Sequence, residues 1–344
     1  MKRIRTLLIE DSGLMRIMIT DTLRSDPDIE VVGTATNGKE GVQKAKALNP
    51  DVVVTDMVMP EYDGLYAVKN IMETSPAPII LLSSLDRANP DIFDALNAGA
   101  FDFVDKPQTK NSQDFKGALS KLKERIRAAL GLNSEVLGKK VDKTNHHFHS
   151  FESVLQYEIL TIGASTGGPS AIESILTQLP GNLAIPVIIT QHMPERFLVS
   201  YAQRLGNLLP LKVKIASRNE RPEPGIIYVV PGDGNMAIGP DAMGEPVFRY
   251  RRKTYKEFNN PSIDCMFESI GDFYGTKAIG VILTGMGKDG SQGLLKMKNK
   301  GGLTIAQEGK SCVVNGMPQA AVDIGAADYV VNLPEIPGFI MSCF

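Results

Sequence analysis

A chain of 344 residues with 43% hydrophobic and 22% charged residues is long enough to fill two cores and has the composition of an ordinary globular protein. Its formal net charge of −2 gives no basic surplus to attract nucleic acid or anionic membrane. The three cysteines, Cys265, Cys312 and Cys343, are too few and too scattered for a disulfide framework or a zinc motif, which suits a reducing compartment such as the cytoplasm.

The opening MKRIRTLLIEDS lacks the long apolar stretch of a signal peptide and reads as a first strand. No later apolar run approaches the roughly 18 residues that a membrane span requires, so no direct membrane insertion is expected. Short apolar, β-branched runs follow at 4–9, 30–35, 52–55, 79–82 and 101–104. Each precedes a segment with helical spacing, the last over about 112–130. Five such units predict a doubly wound parallel α/β domain of the (βα)5 kind over residues 1–127. Periodicity then fails, and 128–153 reads as an interdomain linker carrying GKKVDKTN and His146, His147 and His149. A histidine tract can bind metal, but no ordered element offers a regular ligand pair here, so a solvated linker is expected.

A second, larger α/β domain is expected over 154–344, with strands at 158–162, 186–190, 212–215, 226–230, 278–283, 303–306 and 329–331. Helical segments separate most of them. Residues 232–249 differ, because the turn signal Asp233-Gly234-Asn235 among short strands predicts an antiparallel hairpin.

Functional groups of a parallel doubly wound sheet collect at the carboxyl ends of its strands. In the first domain Glu10 and Asp11 close the first strand, Asp56 the third, Ser83 and Ser84 the fourth, and Lys106 the fifth. Singly each is a surface charge or a cap. Together, three carboxylates call for a hard cation, and Mg²⁺ suits a site that leaves room for water and phosphate oxygens. Asp56 is then the candidate nucleophile for a phosphoryl group, with Lys106 neutralising its oxygens and Ser83 donating a hydrogen bond.

With Lys106-Pro107 after an apolar strand, and Asp56-Met57-Val58-Met59-Pro60 before the Asp63-Gly64 turn, residues 3–127 resemble the response-regulator receiver family. The resemblance implies that Asp56 accepts a phosphoryl group from a partner histidine kinase and that Glu10, Asp11, Asp56 and the Met57 carbonyl hold Mg²⁺. It also implies that Ser83, Lys106 and Phe103 form the switch. A pair of aspartates is more usual where Glu10 and Asp11 stand.

In the second domain Gly163-Ala164-Ser165-Thr166-Gly167 fits G-x-S-x-G between a strand and a helix, a sharp turn that exposes a serine beside a helix N-terminus. A structural turn would look the same. His192, at the end of the next strand, is the one histidine of this domain, and a serine needs such a base to become a nucleophile. Asp289, in Leu283-Thr284-Gly285-Met286-Gly287-Lys288-Asp289-Gly290, is placed to orient His192, although aspartate at that position is also an ordinary helix cap. The glycines beside Met286 would let its N–H approach an oxyanion. The order serine, histidine, acid differs from that of the α/β-hydrolases.

The Gly-Ala-Ser-Thr-Gly-Gly-Pro, Gln-His-Met-Pro and Leu-Thr-Gly-Met-Gly-Lys-Asp-Gly segments together resemble the chemotaxis protein-glutamate methylesterases over 157–343. This implies a triad of Ser165, His192 and Asp289, with Thr166 supporting the site and the Met286 amide serving the oxyanion. The implied substrates are glutamate γ-methyl esters on methylated chemoreceptors, with glutamine deamidation in some relatives and no cofactor for the esterase. The fusion predicts that an unphosphorylated receiver covers the Ser165 cleft. Two rivals are weaker. Gly285–Gly290 also reads as G-x-G-x-x-G with Glu308 beyond it, a dinucleotide fingerprint that leaves Ser165 and His192 unexplained. A DNA-binding output domain would want a helix-turn-helix and a basic surplus, and the sequence offers neither.

Overall fold

The apolar runs at 52–56, 79–83, 159–164, 187–191 and 278–282 become strands buried at every position, as in a parallel sheet sandwiched between helices. The computed structural model describes residues 3–83, 91–106, 112–130, 157–252, 255 and 261–344. Ser84, Pro107 and the linker histidines His146, His147 and His149 lie outside these residues. The chain forms two units, Met1–Lys139 and Lys140–Phe344.

In the first unit β1 (Ile4–Ile9), β2 (Ile29–Ala35), β3 (Val52–Asp56), β4 (Ile79–Ser83) and β5 (Asp102–Asp105) form one sheet in the order β2-β1-β3-β4-β5. Every pairing in it is parallel. The helices are α1 (Gly13–Arg24), α2 (Gly38–Leu48), α3 (Gly64–Thr74), α4 (Asp91–Asn97) and α5 (Ser112–Ala129). Ser12, Asn37 and Asp63 cap the first three, their side chains accepting from Met15 N, Glu40 N and Tyr66 N. The chain leaves β1 in opposite directions toward β2 and β3, so the crevice at their carboxyl ends is a topological switch point.

In the second unit β6 (Ile159–Ala164), β7 (Val187–Gln191), β8 (Lys212–Ile215), β9 (Ile226–Val229), β12 (Ala278–Ile282), β13 (Leu303–Gln307) and β14 (Tyr329–Val331) form a seven-stranded sheet in the order β14-β13-β12-β6-β7-β9-β8, again parallel throughout. The expected hairpin is β10 (Met236–Pro240) with β11 (Pro246–Tyr250), antiparallel with Met236 opposite Tyr250. The helices are α6 (Gly168–Leu176), α7 (Glu195–Leu208), α8 (Ile263–Tyr274), α9 (Ser291–Asn299), α10 (Met317–Asp323) and α11 (Ile336–Met341). The last has no counterpart among the predicted elements. Phe267, Ile270 and Met266 of α8 and Met297 of α9 share a buried cluster with Ile188, Tyr228 and Phe248.

Two close approaches seat α8 over the sheet. A Cβ on Gly163 would lie 2.3 Å from Ile263 Cγ2, and one on Gly290, where φ is +91°, would lie 2.6 Å from the same atom. Gly163→Ala therefore overpacks the start of α8 and should cost about 1–3 kcal/mol of unfolding free energy in a denaturant titration of the second unit.

Candidate active site

Three neighbouring strands, β12, β6 and β7, end in the loops that carry Asp289, Ser165 and His192. The parallel ladder runs on past the strands. Ser165 N donates to Thr284 O (3.1 Å), His192 N to Ala164 O (3.0 Å) and Leu283 N to Gly163 O (2.9 Å). Backbone hydrogen bonding alone thus sets the three loops side by side.

Ser165 is 4% exposed and opens the tight turn into α6, its carbonyl accepting from Gly168 N at 2.8 Å. Gly167 takes φ +76°, which a side chain would strain. A Cβ on Gly285 would lie 2.7 Å from Ser165 Cβ and 2.3 Å from Met317 Sδ. The first glycine of the supposed dinucleotide fingerprint is therefore packed against the serine turn and α10.

His192 Nε2 lies 2.7 Å from Asp289 Oδ2. Asp289 is 1% exposed and accepts three further hydrogen bonds, from Ile263 N (2.8 Å), Asp264 N (3.0 Å) and Ser262 Oγ (3.2 Å). Burial pushes its carboxyl upward, but the bond to His192, the charge of that ring and the two amides outweigh burial and hold it below the usual carboxylate range. The cap reading of Asp289 is thus half right. Gly290 is the N-cap of α9, with no side-chain cap bond, whereas Asp289 serves the N-terminus of α8. Since Nε2 is engaged by the carboxylate, Nδ1 is the nitrogen that remains to act as a base. No hydrogen bond joins Ser165 Oγ to the ring among the described residues. The structure pairs imidazole and carboxylate directly and brings the serine loop alongside through the backbone. Thr166 is buried beside it, its carbonyl accepting from Thr284 Oγ1 at 3.0 Å, and Met286 is half-buried on the Asp289 loop.

Sequence reasoning missed the residues that hold these loops. Gln191 Nε2 donates to Ser165 O (2.9 Å) and His192 O (3.1 Å), tying the serine and histidine loops together. Thr284 N donates to Gln307 Oε1 (2.8 Å), and Thr284 Oγ1 accepts from Val314 N (2.9 Å). Ser262, the N-cap of α8, also donates to Asp289 Oδ1.

In the first unit Glu10, Asp11 and Asp56 each offer an oxygen within 4.8 Å of the others, a group that could hold a metal ion. Lys106 Nζ lies 2.5 Å from Asp56 Oδ2 and 2.9 Å from Glu10 Oε1. Its backbone is tied to β4 by Lys106 N donating to Ser83 O at 2.7 Å. Burial raises Glu10 to about 6, opposed by Lys106 and reinforced by Asp56, and burial also raises Asp56 against the same lysine. One ammonium thus leaves the cluster short of positive charge, which fits a divalent cation. The Met57 carbonyl, beside Asp56, accepts from Gly64 N at 3.1 Å and keeps a second lone pair. Ser83 is buried at the end of β4, and Phe103 is half-buried on β5.

Comparison with known proteins agrees with this division. Residues 160–340 match the family described as CheB methylesterase, and 6–114 match the response regulator receiver domain. A protein-glutamate methylesterase/protein-glutamine glutaminase of Thermotoga maritima is 39% identical over 338 residues, covering 97% of this chain and 96% of its own length. A protein of the same name, numbered 1, from Methanosarcina acetivorans is 41% identical, covering 98% and 97%. The crystal structure of the Thermotoga maritima CheB methylesterase catalytic domain superimposes with a TM-score of 0.52 at 37% identity, covering 55% of this chain and 99% of that one. With its second unit matched by the methylesterase family and its first by the receiver domain, the chain belongs to the CheB methylesterase family.

Proposed function

We propose that this protein is a phosphorylation-regulated protein-glutamate methylesterase that hydrolyses glutamate γ-methyl esters of chemoreceptors through Ser165, His192 and Asp289. The observation that carries the reading is the buried, ionised Asp289 held 2.7 Å from the ring of His192, on loops that flank Ser165. His192 Nδ1 takes the Ser165 proton as Oγ attacks the ester carbonyl. Asp289 stabilises the imidazolium that forms. The Met286 amide and the N-terminus of α6 face the developing oxyanion, and Thr166 supports the turn. Methanol leaves with the proton from His192, and water then attacks the glutamyl-serine ester by the same base. A glutamine side chain can form the same acyl-enzyme with ammonia as leaving group, in keeping with the glutaminase activity in the relatives' names.

Control comes from the receiver, proposed to span 1–127, with 128–153 as linker and 154–344 as the catalytic domain. Asp56 accepts the phosphoryl group from a chemotaxis histidine kinase. Lys106 and Ser83 hold its oxygens, and Phe103 relays the change. Glu10, Asp11, Asp56 and the Met57 carbonyl would hold Mg²⁺, which when bound offsets charge between Asp56 and the incoming phosphoryl group. Among the described residues no helix is long and apolar enough to cross a membrane, and we assign the protein to the cytoplasm, where kinase and receptor signalling regions meet.

Methanol release from methylated receptor should fall by roughly three or more orders of magnitude in Ser165→Ala and in His192→Ala, while Asp56→Asn should keep basal release and lose its stimulation by a small phosphodonor. Undiminished release by Ser165→Ala would refute the nucleophile. Gln191→Leu keeps the volume but removes both bonds between the serine and histidine loops. It should lower kcat about 10- to 100-fold with little change in KM, measured in the same assay. Mg²⁺ at about 100 times its Kd should stabilise the receiver by about 2.7 kcal/mol in thermal unfolding of the full chain. A chelator should reverse the gain, and the Asp11→Asn/Asp56→Asn double variant should not show it.

A further inference from the structure

The helices α8 and α9 start at the same place and cap each other. Asp289, immediately before Gly290 at the start of α9, accepts from the first amides of α8, Ile263 N and Asp264 N. In return Asp264, in the first turn of α8, accepts from Gly293 N of α9 at 2.6 Å. The fit is tight, since a Cβ on Gly293 would lie 2.7 Å from Asp264 Cα. Asp264 is 8% exposed, so the exchange places two carboxylates side by side in the interior.

We infer that Asp264 is a positioning residue for acyl transfer: by capping α9 it fixes the backbone that carries Asp289, and as a second carboxylate behind Asp289 it deepens the negative field on the His192 ring. This rests on the reading of Ser165, His192 and Asp289 as a triad. The reciprocal cap explains how Asp289 is kept still, because its own helix begins with a glycine and makes no side-chain cap bond. A neutral residue could close the turn. A second buried carboxylate is costly beside the first unless its charge has a use.

The surroundings determine which carboxylate takes up a proton first. Asp289 has four donors and stays ionised. Burial and then the Asp289 charge raise Asp264 to about 6, against the amides of Gly293 and Gly290 and the charge of Lys296 on α9. Farther along α8, Glu268 is itself paired with Lys296 and Arg251. The strands against this face, β6, β7, β10 and β12, carry no charged residue. Above about pH 6 both carboxylates are therefore charged, and the positive ring formed during catalysis is favoured most. The stability sign is the reverse. A carboxyl raised in the folded state supports folding below its unfolded value of 3.8 and loses that support as pH rises through about 6.

The test uses the full-length protein and a fluorophosphonate, a reagent that labels activated serines, with rates measured from pH 5 to 9 for wild type, Ser165→Ala, Asp289→Asn and Asp264→Asn. The amide oxygen of Asp264→Asn can still accept from Gly293, so the cap persists without its charge. We expect Asp264→Asn to label about tenfold more slowly than wild type above pH 7 and to converge with it toward pH 5. Its Tm at pH 8 should equal or exceed that of wild type. A profile superimposable on wild type overturns the inference. So does a uniform loss at every pH with a lowered Tm, which a purely structural cap would give. Persistent labelling of Ser165→Ala would instead sink the triad reading itself, and Asp289→Asn sets the scale for loss of the orienting acid.

Discussion

The Asp289 carboxylate is the point on which the catalytic unit turns. An isolated charge this deeply buried would cost several kcal/mol and would take up a proton instead. It stays ionised because the N-terminus of another helix is delivered to it, with two amides, a hydroxyl and the positive end of the α8 dipole. Those donors come from 25 to 27 residues earlier in the chain, so the charge can be kept on burial only once α8 has docked. Docking in turn needs the bare backbone at Gly163 and Gly290. A packing constraint on two glycines is thereby converted into the charge state of a side chain, and that charge state into the orientation of an imidazole.

Both units use the same topological device for different chemistry. In each sheet the chain departs in opposite directions from one central strand, β1 or β6, and the loops at its carboxyl end diverge to leave a crevice. In the receiver the crevice gathers carboxylates that lack a full countercharge, which suits a cation and a phosphoryl group. In the catalytic unit it gathers a hydroxyl, a ring and a carboxylate, with the carboxylate bonded directly to the ring. Burial acts in opposite directions on the outcome. It leaves Glu10 and Asp56 raised, because one lysine is shared between them, and it leaves Asp289 lowered, because four donors converge on it.

The architecture was legible because its signals are local: apolar runs of strand length, the Asp63-Gly64 turn, and glycine turns at strand ends. The parallel sheets and the hairpin follow from these. The α11 helix was not legible, since a stretch of six residues containing Pro337 and Gly338 has little helical signal and is held by packing. Ser165, His192 and Asp289 stood out as chemistry-bearing types at strand ends. Gln191, Ser262, Asp264 and Thr284 did not, because their importance lies in partners distant in sequence. Gln191 is the instructive case. It sits next to His192 in the same short motif, yet nothing in a glutamine foretells that its amide will reach back 26 residues to the Ser165 carbonyl.

The polarity of the imidazole follows from the strand order. In the chymotrypsin arrangement the acid binds Nδ1 and the serine faces Nε2. Here Asp289 takes Nε2. His192 leaves β7, and its backbone is bonded to Ala164, the neighbour of Ser165. The serine turn is therefore the nearer neighbour and the Asp289 loop, after β12, the farther one. Nδ1 is the nitrogen close to the ring's own Cβ, and Nε2 is the one that reaches out. With the serine strand in the middle of the three, the outer nitrogen is the one that spans to the Asp289 carboxylate. Adjacent parallel strands with the serine loop at the centre set the carboxylate on the far side of the histidine, and the longer reach of Nε2 meets it there.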